Sequence, residues 1–181
     1  MRYERIKGGE KMFFDLTSKA KRIKKAVENN TYPPVFSAKE WRNVKANCYS
    51  YVLDIPISDF FGKKIWIPGV MSGFNTEELI WSSLHLIDCV KSDLDFLGFN
   101  YRKDDGTALK ETEYRIAMYI LPSFHDCPHD FHFVRQDSDG EWSERNGYQN
   151  VPRKFEEVTD TPPDLEMYGP RLCEVFVISK K

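Results

Sequence analysis

In Asp130-Phe131-His132-Phe133-Val134-Arg135-Gln136, Asp130, His132 and Val134 alternate with Phe131, Phe133 and Arg135, and the run leads directly into Asp137-Ser138-Asp139-Gly140, after which Glu141 to Arg145 resumes an extended pattern. Period-two alternation on both sides of a short polar turn ending in glycine predicts a β-hairpin, and a hairpin with two such unlike faces needs a covered sheet around it. Tyr114 to Leu121 and Leu172 to Ser179 read as further strands.

The helical signals lie upstream of the strands. From Asp15 or Thr17 to about Asn29, Leu16, Ala20, Ile23 and Val27 share one face and Lys19, Lys21, Arg22, Lys24 and Lys25 lie largely on the other. Tyr32-Pro33-Pro34 follows as an extended linker, since proline removes backbone donors and restricts the residue before it. Residues 1–34 therefore read as a basic helical arm and linker, and residues 35–181 as the main domain. Ser37-Ala38-Lys39-Glu40 is a capping box opening a turn of helix through Trp41. A longer helix is expected from a cap at Asn75-Thr76-Glu77-Glu78 to Leu97, with Ile80, Leu84, Ile87, Leu94 and Leu97 inward and Gly98 as its stop. Tyr101 to Gly106 reads as a polar turn, and residues 155–170 as an acidic, proline-containing surface loop.

Composition narrows the function classes. With 181 residues, 41% of them hydrophobic and 14% aromatic, the chain buries an ordinary core without staples. A formal net charge of -2 gives no general attraction to nucleic acid, and none is expected as a partner. Residues 1–30 carry nine Lys/Arg against four Asp/Glu, and residues 137–166 nine acids against three bases, a pairing of solvated or mutually compensating surfaces. Cys48, Cys89, Cys127 and Cys173 form no CxxC pair, which argues against a disulfide framework or zinc ribbon and fits a reducing compartment. The first apolar run, Met12-Phe13-Phe14, is too short for a signal peptide and no stretch reads as a membrane span, so the expected location is cytoplasmic, with any export by a non-classical route. No cofactor is implied, and oligomeric state is left open.

Chemistry concentrates at Asn47-Cys48-Tyr49-Ser50-Tyr51-Val52-Leu53, where a cysteine sits in the first turn of a short apolar helix that Pro56 limits. Asn47 has the side chain of a cap. A thiol near ~8.5 is mostly protonated at neutral pH, whereas a helix start and an adjacent imidazolium both favour the thiolate. His132, 84 positions downstream on one face of the alternating strand, is the candidate base, since such partners meet in the fold and not along the chain.

These segments, Asn47 to Leu53, Ile67-Pro68-Gly69, Asp130 to Gln136 and Asp139-Gly140-Glu141-Trp142-Ser143, in this order, resemble bacterial proteins with a papain-like fold, similar to NlpC-type and other cell-wall cysteine hydrolases. The resemblance covers roughly residues 45–160. It implies a papain-like α+β domain with N-terminal helices, one of them bearing the nucleophile, packed on an antiparallel sheet. It also implies a cysteine peptidase or amidase acting on a peptide, protein or peptidoglycan substrate, with Cys48 as nucleophile and His132 as base. Asn43 or Asn47 would serve the oxyanion together with the Cys48 backbone amide. One departure stands out: where such proteins read Trp-Ser-His-Lys, this chain reads Trp142-Ser143-Glu144-Arg145. Glu144 then takes the orienting place, as a carboxylate does in serine triads, with Asn146, Asn150 and Asp160 in reserve.

Two rival readings remain. A non-catalytic papain-like binding module would keep Cys48 and His132 as packing. A metal-binding module would use His125, Cys127, His129 and His132, although a short alternating stretch turns four ligands onto one ion with difficulty. His85 and Cys89, four apart on the long helix, lack two further ligands at helical spacing and read as packing.

Overall fold

The computed structural model describes residues 21–44, 46–56, 66–75, 79–122, 129–147, 151–160 and 169–181. Four helical segments precede the strands: α1 (residues 21–29), α2 (Ala38–Trp41), α3 (Cys48–Val52) and α4 (Ser83–Leu97). β1 (Phe99–Lys103), β2 (Glu113–Leu121), β3 (Asp130–Gln136), β4 (Trp142–Glu144), β5 (Arg153–Phe155) and β6 (Arg171–Lys180) follow. They form one antiparallel sheet in the order β1-β6-β2-β3-β4-β5. The protein is thus α+β.

Strand alternation divides the apolar residues between two faces. Tyr114, Ile116 and Met118 of β2, Phe133 of β3 and Phe176 and Ile178 of β6 meet the helices in the main core, with Tyr49, Tyr51 and Val52 of α3 and Leu86, Val90 and Leu94 of α4. Ala117, Tyr119 and Val134 face the other way and are packed by Trp142, Phe155, Val158, Leu172 and Val175. After β5 the chain turns back to this second face, where Val158 packs and the Tyr119 hydroxyl donates to the Thr159 carbonyl at 2.8 Å.

The described part of the stretch read as an arm is built into the domain. Ile23 and Val27 are fully buried in the main core, the Tyr32 ring stacks on Tyr114 at 5.8 Å, and the Tyr32 hydroxyl donates to the Leu53 carbonyl at 3.0 Å. The basic residues Lys21, Arg22, Lys24 and Lys25 are exposed, the solvated face that the periodicity predicts. Ser37 caps α2 as expected, its hydroxyl accepting from the Glu40 amide at 3.3 Å.

The long helix departs from expectation at its start. Ser82, not Asn75, is the N-cap, accepting from the His85 amide at 3.1 Å, while Gly98 ends the helix in the left-handed region at φ 82°. Asn75 instead organises the preceding loop, donating to the carbonyls of Pro68 and Leu79 at 3.2 and 3.1 Å. The inward face is Leu86, Cys89, Val90, Asp93, Leu94 and Leu97, so Leu84 is exposed and Ile87 only half-buried. A buried aspartate disguised that stripe. Asp93 accepts from the amides of Gly69 and Ser72 at 2.7 and 2.8 Å and from the Tyr49 hydroxyl at 3.0 Å, and burial pushes its carboxyl up to about 6 against the pull of those bonds. One carboxylate thereby joins α4, the 66–75 loop and α3.

Gly69 cannot be replaced cheaply in this arrangement. It has φ 86°, and a Cβ there would stand 2.7 Å from Asn75 Cβ and 2.9 Å from Cys89 Sγ. Gly69→Ala is expected to destabilise the fold by roughly 2–5 kcal/mol, combining left-handed backbone cost with overpacking. Urea unfolding of the two proteins measures it, and a midpoint shift within error would contradict this account.

Candidate active site

Asn47 sets the start of α3. Its Oδ1 accepts from the Ser50 amide at 3.1 Å and its Nδ2 donates to the Trp66 carbonyl at 2.5 Å, so the cap is itself fixed to the next loop. Cys48 follows as the first helical residue, where the backbone N–H has no acceptor within the helix. Tyr49, next in line, is anchored on Asp93. Two buried arginines grip the flanks. Arg145 donates to the carbonyls of Trp41, at 2.7 Å, and Val44, while Arg135 donates to the Tyr51 carbonyl at 2.8 Å. The segment that bears Cys48 is therefore fixed on both sides by buried arginine side chains.

His132 points to the face opposite the helices, sharing it with Val134. It nonetheless meets Cys48 because the β3–β4 ladder covers only Val134–Gln136 against Trp142–Glu144, which leaves the edge of β3 beside His132 without a strand partner among the described residues. The first turn of α3 fills that place. Cys48 Sγ lies 4.0 Å from the Phe131 carbonyl oxygen, and the thiol is one of the two groups whose proximity raises the pKa of the His132 ring.

Glu144 sits opposite Val134, one step along the same face from His132. Nε2 of His132 donates to Oε2 of Glu144 at 2.6 Å, with both side chains almost wholly buried. With Nε2 committed, Nδ1 is the nitrogen left for the thiol. Burial pulls the ring's pKa down, but hydrogen bonds with Cys48 and Glu144 and the charges of both groups lift it to about 9. The ring is thus an imidazolium at neutral pH. Its contribution to stability is fully present below ~6.5 and is lost as pH rises through about 9.

Arg153 completes the line and was not singled out from the sequence. Its Nε donates to Oε1 of Glu144 at 2.7 Å, and its Nη2 contacts the same oxygen. Burial raises the Glu144 carboxyl, yet His132 and then Arg153 bring it below the ordinary glutamate value. The only sequence signal for Arg153 is a base beyond the Asn146-Gly147 turn, which becomes informative once β5 is known to pair Arg153 with Glu144.

The remaining candidates are placed as follows. Asn43 is exposed in the turn after α2. Asn47 is held as a cap, its Oδ1 accepting from the Ser50 amide and one N–H of Nδ2 donating to the Trp66 carbonyl. Asn146 is half-buried beyond β4, Asp160 is exposed, and Asn150 lies outside the described residues. His125 and Cys127 also lie outside them. Among the described residues no group of three or more His, Cys, Asp or Glu side chains is arranged to hold a metal ion, and no helix is long and apolar enough to cross a membrane. Ring Nδ1 of His129 approaches the Leu121 carbonyl at 3.3 Å, and Nδ1 of His85 accepts from the Trp81 amide at 3.2 Å, so both have local structural partners. Cys89 is fully buried, with its thiol pushed up to about 12 by burial and by Asp93 and Asp88.

No family model, no curated protein and no solved structure matches this chain.

Proposed function

We propose that the chain is a papain-like cysteine hydrolase that cleaves an amide bond of a peptide, protein or peptidoglycan substrate through an acyl-enzyme on Cys48. The observation that carries this reading is the buried His132 ring bonded at Nε2 to the Glu144 carboxylate, with the Cys48 thiol near enough to help lift the histidine to about 9. With the proton of the pair held on the His132 ring, the Cys48 thiolate adds to the substrate carbonyl. The tetrahedral oxyanion then receives the Cys48 backbone N–H, with Asn43 the remaining side-chain amide close in sequence. Collapse breaks the C–N bond as the imidazolium protonates the leaving amine. Water, deprotonated by the same ring, hydrolyses the thioester and restores the thiol.

A second reading has its own support: Cys48 is only 5% exposed and belongs to the main core, as a packing cysteine of a non-catalytic binding module would. Small-reagent alkylation separates the two. In native protein at pH 7, iodoacetamide is expected to label Cys48 ahead of the other three cysteines. His132→Ala should slow this by roughly tenfold or more, because an unperturbed thiol is only a few per cent thiolate at that pH. Labelling of Cys48 only on unfolding, or at a rate indifferent to His132, favours the binding module.

A further inference from the structure

The charged group at the far end of the line is exposed where the rest is buried. Arg153 retains 44% side-chain exposure, Glu144 has 2%, and the carboxylate divides its oxygens, Oε2 to His132 and Oε1 to Arg153. A carboxylate buried to this degree needs a countercharge on each side to stay ionised, because desolvation alone favours its neutral form. Resting on the triad reading above, we infer that Arg153 is a positioning residue of the active site, holding Glu144 ionised and aimed at His132 through the acid side of the working pH range.

The groups facing this carboxylate from the surrounding elements are few. His132 from β3 and Arg153 from β5 favour its ionised form. Tyr119 on β2 is paired with His132, its ring centroid 6.5 Å from the imidazole, and its own hydroxyl is spent on the Thr159 carbonyl. Burial first, then the charges of Glu144 and Asp160, raise the pKa of that phenol, so it stays neutral and cannot replace the arginine. Cys48 acts from α3 on the other side of the ring. Arg145, adjacent to Glu144 in the chain, is directed to the carbonyls of Trp41 and Val44 and does not substitute. Arg153 is therefore the second cation of the carboxylate, and it arrives on the edge strand β5, where it pairs with Glu144.

The test is the pH profile of Cys48 alkylation by iodoacetamide in full-length wild type, Arg153→Met and Arg153→Lys. Removing the cation should move the acid limb upward by about half to one pH unit, reflecting an opposite charge lost at close range but partly screened by solvent. Arg153→Lys, which keeps the charge, should restore most of the shift. Thermal melts at pH 7 identify any loss of folded protein, and the limb position is read only from the folded fraction. An Arg153→Met profile that overlies the wild type, or a lysine variant no better than methionine, overturns the inference. That failure differs from failure of the triad reading, in which the wild type itself shows no selective, His132-dependent labelling of Cys48.

Discussion

Arg135→Met is expected to destabilise the protein by about 3–5 kcal/mol, the range for breaking a buried ion pair by removing one partner. The guanidinium is fully buried and spends its donors on four partners. Nε bonds Asp137 Oδ1 at 2.9 Å, Nη1 bonds both the Tyr51 carbonyl and Asp54 Oδ1 at 2.8 Å, and Nη2 reaches the Val35 carbonyl at 3.4 Å. Its plane also lies over the Tyr51 ring, 4.1 Å from the centroid. Methionine has a stem of comparable length but leaves Asp137, itself buried, without this countercharge, and frees the Tyr51 carbonyl from the sheet. Because Tyr51 belongs to the same short helix as Cys48, the surviving folded protein should also lose the selective labelling of Cys48. Urea unfolding followed by near-ultraviolet circular dichroism measures the first effect. A loss below about 1 kcal/mol would mean that the guanidinium gains no more than its desolvation costs.

Arg135 also shows where sequence reading works and where it stops. Alternation placed it on the same face as Phe131 and Phe133, which is where it lies, because the side-chain period of a strand is strict. Its burial was illegible, since the partners come from Val35, Tyr51, Asp54 and Asp137, brought together only by folding. Asp93 misled for the same reason. A carboxylate in the helix pattern counts as polar, so the apolar stripe was assigned to Leu84 and Ile87 when it runs along Leu86, Cys89, Val90 and Asp93. β1 and β5 were missed as strands: Phe99–Lys103 and Arg153–Phe155 are short edge strands, one ending in charged residues and one only three residues long, without the apolar runs that mark central strands.

The candidate site was more legible than its surroundings. Asn47 as cap, Cys48 in the first helical turn and His132 and Glu144 on adjacent antiparallel strands follow from local rules of capping, alternation and hairpin closure. Glu144 is not directly opposite His132 but one step along the face, the diagonal neighbour, which a side chain of glutamate length spans. What the sequence did not contain is the early end of β4, which leaves the strand edge open to α3 and joins groups from opposite faces of the sheet.

Glu144→Gln tests the electrostatic centre of this arrangement. The glutamine keeps nearly the same shape and a carbonyl oxygen able to accept from Nε2, so His132 retains its orientation while the negative charge disappears. Of the influences on the ring, burial lowers its pKa, whereas Cys48 and Glu144 raise it. Removing one of the two raising partners should bring the value from about 9 down by one to three pH units, the usual effect of losing an opposite charge at contact distance. On the cysteine-hydrolase reading, Cys48 then has less positive charge beside it, and its alkylation at pH 7 is expected to fall by tenfold or more. The sign for stability follows: the wild-type gain, complete below ~6.5 and lost as pH rises through about 9, should shrink in the variant. Melting temperatures of the two proteins should therefore converge at high pH, apart from the fixed cost of leaving Arg153 beside an amide. Proton NMR titration of the His132 ring, assigned by comparison with His132→Ala, reads the pKa directly. A ring that titrates at the same pH in both proteins would remove Glu144 from the site and leave only the thiol to account for the raised histidine.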